Sequence, residues 1–215
     1  LSGLGGDPQR LAAAGSGVFD TIIWIVLLIG VTECVILGAS AVAYEREHRT
    51  VDLWVLAGME HVPMVIAKFA SVMARSTATL AAPLVPAALA VFMGGRSLTD
   101  FPAAFLALIS LLTLAAAISI AVSSAQRKVA GSVPSATVAA GLSIVGPWAL
   151  FRVYSGSGLV GSGAAGRLLR LHPFTIIGAI GTQKSGGYLA DAYLCAFLSM
   201  AAALALLIFA GLRLK

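Results

Sequence analysis

Charge is what this sequence has least of. Only 11% of its 215 residues are Asp, Glu, Lys or Arg, against about 25% in soluble chains. That shortage excludes an ordinary water-facing surface. Hydrophobic residues make up 59% instead, and the mean hydropathy is +0.97. Histidine stops at His48, His61 and His172, with no His-Glu-x-x-His pair to hold zinc. Cysteine stops at Cys34 and Cys195, both inside apolar runs, so neither a disulfide framework nor a metal ligand set is expected. No Gly-x-Ser-x-Gly is present, which removes the serine nucleophile elbow. The net charge of +5 comes from Lys and Arg placed singly between apolar runs. Nucleic-acid binding needs a basic stripe, so it is excluded. Scattered cations suit loops beside lipid headgroups.

What is present is a series of apolar runs long enough to cross a bilayer, for which about 20 residues suffice. The reading is an all-α, polytopic transmembrane helical bundle forming one membrane domain over residues 1–215, with spans at about 18–43, 64–93, 101–123, 131–151 and 189–212. Pro83 and Pro86 are expected to kink the second span, and Gly146-Pro147 to disturb the fourth. Small residues at Gly30, Gly38, Ala78 and Ala82 are expected to let helices approach closely. Residues 152–188 read as a long Gly/Ser-rich loop on the side of the membrane opposite residues 44–63. Within it, Arg167 to Ile180 reads either as an interfacial or re-entrant helix pair broken at Pro173, or as an ordinary amphipathic surface helix.

Between the first two spans lies a burst of mixed charge, Tyr44-Glu45-Arg46-Glu47-His48-Arg49-Thr50, followed by Val51-Asp52-Leu53-Trp54-Val55-Leu56, Gly58, Pro63 and Lys68. Thr50 suits an N-cap and Asp52 a first helical turn. Val51, Trp54, Val55 and Leu56 supply an apolar side, and Pro63 fits the start of the next helix. Residues 50–60 therefore read as a short helix along the membrane surface.

The order Glu-Arg-Glu, Thr, an apolar turn, Pro and then Lys resembles the type 2 ATP-binding-cassette (ABC) transporter permeases, most clearly over residues 44–68 and more weakly in span order and at His172-Pro173-Phe174. The resemblance implies that residues 50–60 are a cytoplasmic coupling helix. It implies a docking surface for a partner ATPase made of Glu45, Arg46, Glu47, Arg49, Thr50, Asp52 and Trp54. It further implies two ABC ATPase subunits that carry ATP and Mg, a second permease copy or a sister permease, and an export function in the plasma (inner) membrane. No cofactor is expected on this chain, and no catalysis. The family has six spans with both termini in the cytoplasm. Five spans with a cytoplasmic C-terminus then imply a first span ahead of Leu1.

Two ionisable residues lie deep in apolar runs. Glu33 precedes Ala43 by ten residues and Arg75 follows Met64 by eleven, about 15 Å along a helix in each case. Lone charges at that depth are costly, so Glu33 and Arg75 are expected to pair across the first two spans. Such a pair either fixes helix register or lines a polar path. An ion-coupled carrier and a non-transporting membrane scaffold are therefore the alternatives to the ABC reading. Two Gly-rich strings, Gly156 to Gly161 and Gly161 to Gly166, match G-x-G-x-x-G. They sit between membrane spans without a βαβ unit, so no nucleotide site is expected there.

Overall fold

An apolar run with no water around it folds as a helix, because only a helix satisfies each N–H and C=O within its own segment. The computed structural model describes residues 8–50, 56, 58, 60–156, 172–182 and 188–214, and among these every regular element is helical. In chain order they are α1 (Pro8–Glu47), α2 (His61–Ala81), α3 (Leu84–Ala90), a π-helical turn (Val91–Gly95), α4 (Asp100–Ala125), α5 (Val129–Gly156), α6 (Pro173–Thr182) and α7 (Tyr188–Arg213). Four helices are long and apolar enough to cross a membrane, and five if the broken pair α2 and α3 counts as one span.

The axis of the bundle is α4. It is apolar nearly all round, as a helix enclosed by others must be, and α1, α2, α5, α6 and α7 pack on it. Its buried positions run from Asp100 through Leu108, Leu111, Leu112 and Ile120 to Ser124. Close approach to α1 is set by two glycines. A Cβ on Gly30 would meet Leu112 at 3.0 Å, and one on Gly38 would meet Ser119 Cβ at 2.8 Å. Gly211 of α7 does the same against α2, where a Cβ would stand 2.9 Å from the Val62 Cα. Ala78 and Ala82 are exposed instead. Of the four small residues expected at helix contacts, only the two glycines on α1 serve that purpose within the chain.

The prolines act unequally. Between α2 and α3 the axis bends by 44°, at Pro83, where no N–H is available to continue the ladder. In α5, by contrast, Pro134 and Pro147 lie inside a continuous helix, so the expected irregularity at Gly146-Pro147 does not interrupt it. Pro147 still leaves the Ser143 carbonyl without its usual partner four residues on. The His172 side chain lies against the Ser143 backbone from outside the helix. Pro63 is not the first residue of α2, which begins at His61. It stands at the third position, where the N–H would lack an intrahelical partner anyway.

Hydroxyls stitch the interior. Ser123 of α4 donates to the Ala39 carbonyl at 2.7 Å and accepts from the N–H groups of Val42 and Ala43 at 3.2 and 2.9 Å. Ser132 of α5 donates to the same Ala39 carbonyl at 2.6 Å. Helices α4 and α5 thus share one point on α1, where a side chain has entered the backbone ladder.

Candidate functional site

At the end of α1 the run Glu45-Arg46-Glu47 spreads over three other helices. Successive helical residues point about 100° apart, so three neighbouring charges cannot share one direction. Glu45 is buried and its Oε1 pairs with Lys68 of α2. Its Oε2 is buried with no hydrogen-bond partner among the described residues. Arg46 Nη1 donates to the Ser124 carbonyl in the last turn of α4 at 2.6 Å, where a cation complements the helix dipole. Glu47 Oε2 accepts the Val129 N–H at 3.0 Å, capping the start of α5, where an anion is favoured. In sequence these acids stand beside Arg46 and Arg49. In the fold, the partners of Glu45 and Glu47 are on other helices.

The chain then turns sharply. Arg49 has a φ of 57°, a left-handed conformation suited to closing a helix, and it is exposed. The Thr50 hydroxyl donates back to the Glu45 carbonyl at 3.0 Å, satisfying one of the orphan groups at the end of α1. Asp52 and Trp54, with most of the expected coupling helix at 50–60, lie outside the described residues.

Deeper in the bundle, Arg75 Nε stands 3.4 Å from Glu33 Oε1. The Glu33 side chain is 19% exposed and that of Arg75 is 71% exposed. Both line an open groove of about 530 Å³ with Leu28, Ile29, Thr32, Ile36 and Leu37. Apart from Ile66, the rest of the outward side of α2 is mostly small or polar, carrying Ala67, Ala70, Ser71, Ala74, Thr77, Ala78 and Thr79. The outward side of α7 differs, with Leu194, Phe197, Leu198, Leu204, Ile208 and Phe209. The α7 surface suits lipid tails. A small polar face suits another helix or water.

If the groove charges attract each other, reversing one should be worse than reversing both. Glu33→Arg and Arg75→Glu are each expected to lower detergent stability. The double exchange should recover about 1 kcal/mol. Simple addition of the two losses would mean that the two charges do not interact.

The opposite end is held by residues that the pattern of deep charges did not single out. Arg96 Nη2 lies 2.8 and 2.6 Å from the two oxygens of Asp20 on α1, and its Nη1 donates to the Ile180 carbonyl of α6 at 2.6 Å. Asp20 was recoverable in principle, as one more acid within an apolar run. Its partner was not, since 76 residues separate them.

Helix α6 lies within the stretch expected to be a loop. It begins at Pro173 with His172 before it, the arrangement that suits proline at a first helical position. Its Thr175, Ile176, Ile177 and Ile180 are buried, and Phe174 makes edge-on contacts with Trp24 at 5.2 Å and Trp148 at 5.3 Å. The Phe174 N–H donates to His172 Nδ1 at 3.3 Å. Burial pushes the His172 imidazole below its ordinary pKa, against the upward pull of the Ser143 backbone. Residues 157–171, which hold most of both Gly-rich strings, lie outside the described residues.

Among the described residues no three His, Cys, Asp or Glu side chains gather as a metal site. Four or five apolar helices of spanning length, with acids and bases paired between them, define the build of a multi-pass membrane protein. No protein-family model, curated protein or solved structure matches the chain.

Proposed function

We propose that this chain is the membrane subunit of an ATP-binding-cassette transporter, working as an exporter with separate ATPase subunits. The observation that carries this reading is the fan of contacts from Glu45, Arg46 and Glu47 to α2, α4 and α5. These contacts immediately precede the segment that resembles a coupling helix. Force applied at residues 50–60 would enter the end of α1 and pass directly to three other helices. Packed helices with specific polar ties move as units rather than deforming continuously. The small, polar outward face of α2 supports a second copy or sister permease across the groove. ATP and Mg would be held by the partner ATPases, and force rather than electron or phosphoryl transfer would be this chain's share.

The test is a photo-crosslinking residue in place of Arg49, used in native membranes. The expected adduct is a cytoplasmic polypeptide carrying a P-loop. Labelling of Arg49 only from the outer side, or no ATPase adduct, would remove the proposal.

A second reading, an ion-coupled carrier, is favoured by one observation, the open groove around Glu33 and Arg75. It requires transport by the purified chain in vesicles without any ATPase.

A further inference from the structure

Apart from the docking segment, the same end of the bundle holds a second cluster. Arg46 of α1, Arg127 beyond the end of α4 and Arg213 at the end of α7 line one cleft of about 610 Å³, together with Ser124 and Ala125. Three arginines, from α1, from the turn after α4 and from α7, therefore line one cleft, and no acid is among the lining residues. Elsewhere the bundle neutralises its cations: Lys68 meets Glu45, Arg75 meets Glu33 and Arg96 meets Asp20. Among the described residues the side chains of Arg127 and Arg213 have no such ion pair. Of the two acids adjacent to Arg46 in sequence, Glu45 pairs with Lys68 and Glu47 is committed to the Val129 N–H.

The balance of charge can be weighed. Helices α1, α4 and α7 all end at the cleft, and each C-terminus brings roughly half a negative charge. Three arginines exceed that by about one and a half positive charges. Arg46 spends one donor on the Ser124 carbonyl, which holds its planar group in place while its other N–H groups stay available. A fixed arginine fork matches phosphate oxygens two at a time, which a lysine ammonium does not. The cleft also sits where apolar spans end, at the level of headgroups.

We propose that the cleft lined by Arg46, Arg127 and Arg213 is a binding site for a phosphate group. That chemistry is available from the headgroup of an anionic phospholipid or from a free phosphate anion. A phosphate seated there would join the ends of α1, α4 and α7. The site depends on neither the ABC reading nor the direction of transport.

The experiment uses the full chain in neutral detergent, as wild type and as R127Q/R213Q; Arg46 is left intact because it also holds α4. Native mass spectrometry measures retention of phosphatidylglycerol against phosphatidylcholine. Thermal unfolding is followed with and without millimolar inorganic phosphate. A headgroup site predicts about a tenfold preference for phosphatidylglycerol in the wild type, lost in the double variant. A free-phosphate site predicts no lipid preference but a phosphate-dependent rise in the wild-type midpoint, absent from the double variant. Either result supports the site and names its source. The proposal is overturned if the wild type responds to neither probe, or if its response survives in R127Q/R213Q. Should the double variant not fold, R127Q and R213Q are measured singly, and each should weaken the response about threefold. Unchanged responses in both would overturn the site equally.

Discussion

Arg96→Ala is expected to lower the stability of the bundle by about 3 kcal/mol, because removing one partner strands the other in a poorly solvated place. The Arg96 side chain is 9% exposed and that of Asp20 is 31% exposed. One guanidinium serves both Asp20 oxygens and the Ile180 carbonyl. Its loss leaves a carboxylate on α1 and a carbonyl near the end of α6 without that donor. Arg96→Lys keeps the charge but not the planar fork, so it should lose less, about 1 kcal/mol. Thermal unfolding in detergent measures both variants. Asp20→Asn, alone and with Arg96→Ala, completes the cycle. The two losses should fall well short of additive, since the same contact is removed twice. Strict additivity would show that Asp20 and Arg96 do not stabilise each other.

Gly38→Leu is expected to be comparably severe, at about 3 kcal/mol, through overpacking. Even the first added carbon would lie 2.8 Å from Ser119 Cβ and 3.3 Å from the Ala116 carbonyl oxygen. Ser119 cannot easily yield. It is buried, and its hydroxyl is bonded to the Ala115 carbonyl at 2.6 Å. The remaining three carbons of leucine would have to push α1 off α4, disturbing the Ser123 bonds to Ala39, Val42 and Ala43 nearby. Gly141→Leu is the control, since nothing lies within 4 Å of a Cβ built there. It should change the melting midpoint little. Equal effects at the two positions would show that α1 and α4 are not closely packed at Gly38.

Much of the architecture was legible because a membrane leaves so few options. Apolar runs bounded by charges can only be helices, and the five expected spans correspond to α1, the α2–α3 pair, α4, α5 and α7. The break in the second span was legible from Pro83. Pro147 was not, because the disturbance it causes depends on whether the freed carbonyl finds another donor. The side chain that lies against the Ser143 backbone, His172, comes from a distant part of the chain. For the same reason α6 was open to two readings. Its burial rests on Trp24, Trp148 and Arg96, which lie on other elements.

The candidate site divides along the same line. Composition and run length by themselves determined an all-helical chain with several helices of spanning length, because solvation of the backbone is a local demand. They also marked Glu33, Arg75 and the Glu45-Arg46-Glu47 run, since a charge beside or within an apolar run is conspicuous anywhere. Tertiary structure alone decided which helix each charge meets. It turned Glu45 to α2, Arg46 to α4 and Glu47 to α5, and it gathered Arg46, Arg127 and Arg213 around one cleft. Pairing energies depend on distances between residues far apart in sequence, and no local pattern encodes those distances until the helices have packed.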